Sequence, residues 1–137
     1  MGFIVDVKFP ITDGTIVTAI RTALTTSWST GLTVQRKRPD TMTKRVVTVR
    51  NDSGPQYRQA QRRYGINVWA DTSVDAEQIA LDAMAALRTL AGTGPITATD
   101  NFSGPFEIND DPQMTVGTEN LTHYYFTFRI TLRGTNT

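Results

Sequence analysis

The chain has 137 residues, 39% of them hydrophobic and 20% charged, and a net charge of +1. That length fits one domain, which buries roughly two thirds of its unfolded surface, and no apolar run approaches the roughly 20 residues of a membrane span. There is no cysteine, which excludes disulfides, thiolate catalysis and cysteine metal sites.

Residues 1–8 alternate apolar and polar side chains and lack a basic region followed by a long apolar stretch. No signal peptide is expected, and synthesis in the cytoplasm is the corresponding expectation. The glycosylation-type triplets at Asn51, Asn101 and Asn120 then carry no weight.

A helix is expected from Asp13 to about Trp28. Asp13 is placed to cap it, and Pro10 breaks the segment before it. Ile16, Ile20 and Leu24 recur every four residues and draw an apolar stripe. Strands follow at 32–37, 45–51 and 64–70. Leu32 and Val34 alternate with Thr33 and Gln35, and Val46, Val47 and Val49 suit a pleated surface. Tyr64, Ile66, Val68 and Ala70 alternate with Gly65, Asn67 and Trp69. Short loops make antiparallel pairing the economical connection. The connection 51–63 is longer and ends in a polar, arginine-rich stretch.

The second helix is expected from Ser73 as N-cap to Gly92 as C-cap. Asp75 and Glu77 suit the positive end of its dipole. Its stripe is Ala76, Ile79, Ala80, Ala83, Met84, Leu87 and Leu90. Two short strand pieces, 96–100 and 106–109, are expected on either side of a Gly104-Pro105 turn. A polar, acidic loop then leads to a last strand at 123–134. There Tyr124, Phe126, Phe128, Ile130 and Leu132 alternate strictly with Tyr125, Thr127, Arg129 and Thr131. The fold class is α+β. One mainly antiparallel sheet of about 4–5 strands carries two helices in the order α-β-β-β-α-β-β, and residues 1–137 form a single domain.

Chemistry finds little support. The one histidine, His123, sits in an aromatic strand and reads as a packing or edge residue. Asp100, Glu107, Asp110 and Asp111 match no calcium-loop spacing and read as a solvated acidic loop. No HExxH, phosphate-loop or dinucleotide motif occurs. The chain is therefore expected not to be an enzyme and to need no cofactor and no metal.

Charge is more informative. Residues 1–69 carry 11 basic and 4 acidic side chains, a net +7, and residues 70–137 carry 3 basic and 9 acidic, a net −6. Either the two regions neutralise each other within one molecule, or the basic region of one copy meets the acidic region of the next. Arg36, Lys37, Arg38, Lys44 and Arg45 are expected at one hairpin tip. Tyr57, Arg58, Arg62 and Arg63 form a second cluster. With Asp110, Asp111 and Glu119 they are the candidate subunit or partner contacts. A nucleic-acid-binding module using the basic loops is the competing reading, although a pI of about 8.1 is modest for one.

The element order also resembles a known family. The helix from Asp13 to Trp28 comes first, then the strands that end in Asn67-Val68-Trp69-Ala70-Asp71. The helix opening Ser73-Val74-Asp75-Ala76-Glu77-Gln78-Ile79-Ala80 follows, then Gly92-Thr93-Gly94-Pro95-Ile96. The close is Tyr124-Tyr125-Phe126-Thr127-Phe128-Arg129-Ile130-Thr131-Leu132-Arg133-Gly134. Over most of its length the chain resembles the tail terminator (tail completion) proteins of long-tailed phages, notably those of actinobacterial phages. The resemblance implies a structural virion protein without catalytic residues, forming a hexameric ring at the head-proximal end of the tail tube. Such a ring stops tube polymerisation and offers a surface for head–tail joining. Its implied partners are copies of itself, the major tail tube protein and a head-side connector or stopper. DNA would pass through the lumen without sequence-specific binding, and no membrane is involved. The implied location is the virion tail. A neighbouring head-closure or joining protein is the nearest alternative.

Overall fold

The computed structural model describes residues 7–28, 31–39, 42–53, 60–108, 115–116 and 119–136. A two-residue strand, β1 (Val7–Lys8), pairs antiparallel with the last one, β9 (Thr135–Asn136), and so joins the two ends of the described chain. Helix α1 (Asp13–Trp28) buries Ile16, Val17, Ile20 and Leu24, the stripe expected from the sequence. The amide of Ile16 donates to the carbonyl of Thr12 at 3.0 Å. Thr12 therefore stands at the start of the helix, where Asp13 was expected as the cap.

Strands β2 (Leu32–Gln35), β3 (Arg45–Asn51) and β4 (Gln61–Ala70) follow. Helix α2 (Ser73–Arg88) is capped by Thr72, whose hydroxyl accepts from the amide of Asp75 at 3.1 Å, and it ends at Thr89. Ser73 and Gly92 were expected in those roles. The helix stops a turn early because the amides of Thr89 and Leu90 bond three residues back, to Ala86 and Leu87. Its expected stripe from Ala76 to Leu90 is buried throughout.

Strand β5 (Ile96–Glu107) is continuous, where two pieces divided by a turn were expected. The Gly104-Pro105 segment is absorbed by register shifts against the next strand rather than by a break. A Cβ at Gly104 would lie 2.9 Å from the carbonyl oxygen of Tyr125, and φ there is +111°. Only glycine lets the bulged strand approach so closely. Two two-residue strands, β6 (Thr115–Val116) and β7 (Glu119–Asn120), pair antiparallel and precede the long strand β8 (Thr122–Leu132).

The main sheet has five strands in the order β2-β3-β4-β8-β5. All neighbours are antiparallel except β2 and β3, which run parallel. Helix α1 ends beside the start of β3, with the Arg45 guanidinium over the Trp28 ring at 5.2 Å. After the turn at Gly31, β2 must set out from that same end, so it follows the direction of β3.

Both helices lie on one face of the sheet. Val34, Val47, Val49, Tyr64, Ile66, Val68, Phe126, Phe128 and Ile130 meet the stripes of α1 and α2 in a single apolar core. Each such aliphatic side chain, fully buried, contributes roughly 1.5–3 kcal/mol. No described helix is long and apolar enough to cross a membrane.

Candidate interaction surfaces

The strand directions sort the charges. Strands β2 and β3 finish, β4 begins and β8 finishes at the end of the sheet where α1 starts. Arg36, Lys37 and Arg38 follow β2 there and are exposed. Exposed Arg63 opens β4, and exposed Arg133 follows β8, its guanidinium donating to the carbonyl of Gly94 at 3.3 Å. Arg36 pairs with Asp13 at 3.0 Å, and Arg50 with Asp52 at 2.5 Å. Among the described residues, Lys37, Arg38 and Arg63 form no ion pair.

Arg62 behaves differently. It was grouped with the exposed cluster, but it is 0% exposed. It shares the strand face of Tyr64, Ile66 and Val68, so its side chain enters the core side of the sheet. Its guanidinium donates to the carbonyl of Pro10 and to the hydroxyl of Thr12 at 3.3 Å. The Thr12 and Tyr64 hydroxyls are 2.7 Å apart, and Tyr64 donates to the buried carboxylate of Asp13 at 2.7 Å. Burial pushes the Tyr64 phenol well above its ordinary value and the Arg62 guanidinium down. This polar chain fastens the start of α1 to the start of β4. Arg62 is thus a structural anchor and presents no charge to a partner.

At the opposite end β4 finishes, α2 starts, β8 begins and β5 finishes. Asp71, Asp75, Glu77 and Glu107 gather there. The Tyr124 hydroxyl donates to Glu77 at 3.3 Å and lies 3.0 Å from the Ser73 hydroxyl. Lys44 and Arg45 also belong to this end, because β3 starts here. The expected single hairpin tip holding 36–38 and 44–45 is therefore overturned. Parallel pairing puts the two groups at opposite ends of β2. Arg45 lies 3.8 Å from Asp75 and is mostly covered, so it neutralises part of the acidic end from within.

The sheet face away from the helices carries polar and charged groups beside the buried Val46 and Trp69. Arg50 donates to the Tyr125 hydroxyl at 3.1 Å, and Arg129 holds Asp100 through a two-pronged contact at 2.9 and 3.1 Å. That contact holds the Asp100 carboxyl below its usual value. A Cβ on Gly65 would sit 2.8 Å from the Tyr125 hydroxyl and 2.9 Å from Asp52, so glycine is what lets these groups lie across the strand. A cleft of about 690 Å³ opens here between Arg63, Asn101, Ser103 and Arg129. His123 stacks on Trp69 at 4.3 Å and lies 2.7 Å from Asn67 Oδ1, as a packed residue of this face. On the other side of the molecule a groove of about 690 Å³ runs between Ala19, Ala23 and Ser27 of α1 and Asp82, Ala85 and Thr89 near α2.

Among the described residues no group of three or more His, Asp or Glu side chains could hold a metal ion. Tyr57, Arg58, Asp110 and Asp111 lie outside the described residues, and of Glu119 only the backbone is described. Ile108 and Thr122, which flank that acidic segment, both lie at the acidic end, with the amide of Ile108 donating to the carbonyl of His123 at 2.9 Å. No family model matches the chain, and neither does any curated protein.

Proposed function

We propose that this chain is a structural virion protein, the tail terminator of a long-tailed phage. It would close as a ring of copies on the head-proximal end of the tail tube. There it stops tube growth and presents the surface to which the head-side connector binds. The observation that carries this reading is the segregation of exposed charge. The two ends of one small domain differ in their prevailing sign, which suits a head-to-tail, heterologous contact of the kind that builds a ring when the rotation closes. The element order on which the family resemblance was drawn adds support. The virion tail is the corresponding location, and passing DNA would be met without base recognition.

The reading is tested by labelling the chain and imaging it with purified tails. Label should sit at one end of each tube, as a collar. Label spread along the tube, or on the head side of a separated neck, would overturn it and favour a head-closure or joining role.

The exposed cations at the basic end favour one second reading, a DNA-binding module. It predicts duplex binding at low salt that weakens steeply as salt rises. Fluorescence polarisation with Lys37→Ala and Arg38→Ala checks it. No binding at low salt removes that reading.

A further inference from the structure

At each end of the sheet an exposed aliphatic side chain stands beside charged groups, mostly cations at one end and mostly carboxylates at the other. Ile11 is 72% exposed. It is held at the basic end on one side by Pro10, which accepts from Arg62, and on the other by Asp13, which pairs with Arg36. Lys37, Arg38 and Arg63 are exposed cations of that end that form no ion pair among the described residues. Val74 is 78% exposed in the first turn of α2, among Asp71, Glu77 and Glu107 at the acidic end.

The sheet edges offer little alternative. Strand β2 is four residues long. Strand β5 is bulged by repeated register shifts against β8, and Pro105 has no N–H to donate. Short, bulged, proline-bearing edges resist strand-to-strand pairing.

We infer that the basic end of one copy docks on the acidic end of the next, with Ile11 and Val74 at the centre of the contact. Copies then join head to tail along the strand direction. The inference rests on the reading of the chain as a ring-forming protein and gives that ring its interface. Opposite potentials steer the approach and fix the register, and a desolvated aliphatic centre inside a charged rim supplies the short-range attraction.

The absence of native cysteine makes the test clean. Ile11 and Val74 are separated by the length of the ten-residue strand β4, roughly 30 Å, whereas a disulfide spans Cα atoms roughly 7 Å apart at most. A chain carrying both Ile11→Cys and Val74→Cys cannot close on itself. Under mild oxidation at low salt it should give a ladder of dimers, trimers and larger species, and the ladder should fade at high salt. Either single variant should stay monomeric, and an equal mixture of the two singles should stop at dimers.

A second set of variants guards against a contact made by oxidation alone. Reversing Lys37, Arg38 and Arg63 to Glu should lower ladder yield at least roughly tenfold. Adding Glu77→Lys and Glu107→Lys to the same chain should restore it. No ladder at low salt, or single variants that dimerise as fast as the double variant extends, overturns the inference. A wild-type chain that sits on tails while no ladder forms would sink this contact alone and leave the ring reading standing. A ladder from a chain that never sits on tails would do the reverse.

Discussion

Tyr64 is the residue on which the basic end depends. Its hydroxyl links Thr12 and Asp13, and with Arg62 it ties α1 to β4 beneath the surface. Tyr64→Phe keeps the ring but leaves a buried carboxylate short of a donor, so it should cost about 1–3 kcal/mol in urea unfolding. The pH dependence follows from the raised phenol. The stability it contributes is complete below the unfolded value of about 10 and is lost as pH rises above it. Wild-type stability should therefore fall more steeply above that pH than the Tyr64→Phe variant does. Asp100 has the opposite sign. Its carboxyl is depressed by Arg129, so the stabilisation is present above about pH 4 and fades as pH falls. Asp100→Asn should flatten the acid limb of the stability curve while leaving the alkaline limb unchanged. The sequence hid Arg62 because three nearby arginines read as one exposed cluster. Strand parity would have found it, two residues before Tyr64 on the core face.

At the scale of elements, the helix caps divide the roles of two adjacent residues. Thr72→Ala removes the hydroxyl that accepts from Asp75 and should cost about 1 kcal/mol. Ser73→Ala removes only a half-covered contact with Tyr124, and equilibrium unfolding should show a smaller loss. Ala83, 0% exposed on the sheet-facing side of α2, leaves no room for growth. Ala83→Leu should destabilise by roughly 1–3 kcal/mol through overpacking. Helix α2 and strand β8 were legible because their periods of 3.6 and 2 persist over many residues. The direction of β2 was not, since a four-residue alternation reads the same either way. It is set instead by where α1 ends. Strand β5 was misread for a related reason. Gly104-Pro105 signals a turn locally, and only the partner strand turns it into a bulge.

For the whole molecule, the charge split between the halves of the sequence was legible, and its spatial meaning was not. Basic segments near residues 36, 50, 63 and 133 come from distant parts of the chain, and the strand directions gather them at one end. The acidic segments near 71, 77 and 107 are gathered at the other by the same directions. Lys44 and Arg45 are exceptions that partly neutralise the acidic end. A molecule with opposite ends of this kind is suited to join copies of itself, and that polarity is compatible with the proposed ring at the end of the phage tail. Its most direct test is deletion of the gene from the phage that carries it, with the resulting particles measured by electron microscopy. The proposed role predicts tails of uncontrolled length, separate from filled heads, and rescue by the gene supplied in trans. Tails of normal length joined to heads would contradict it.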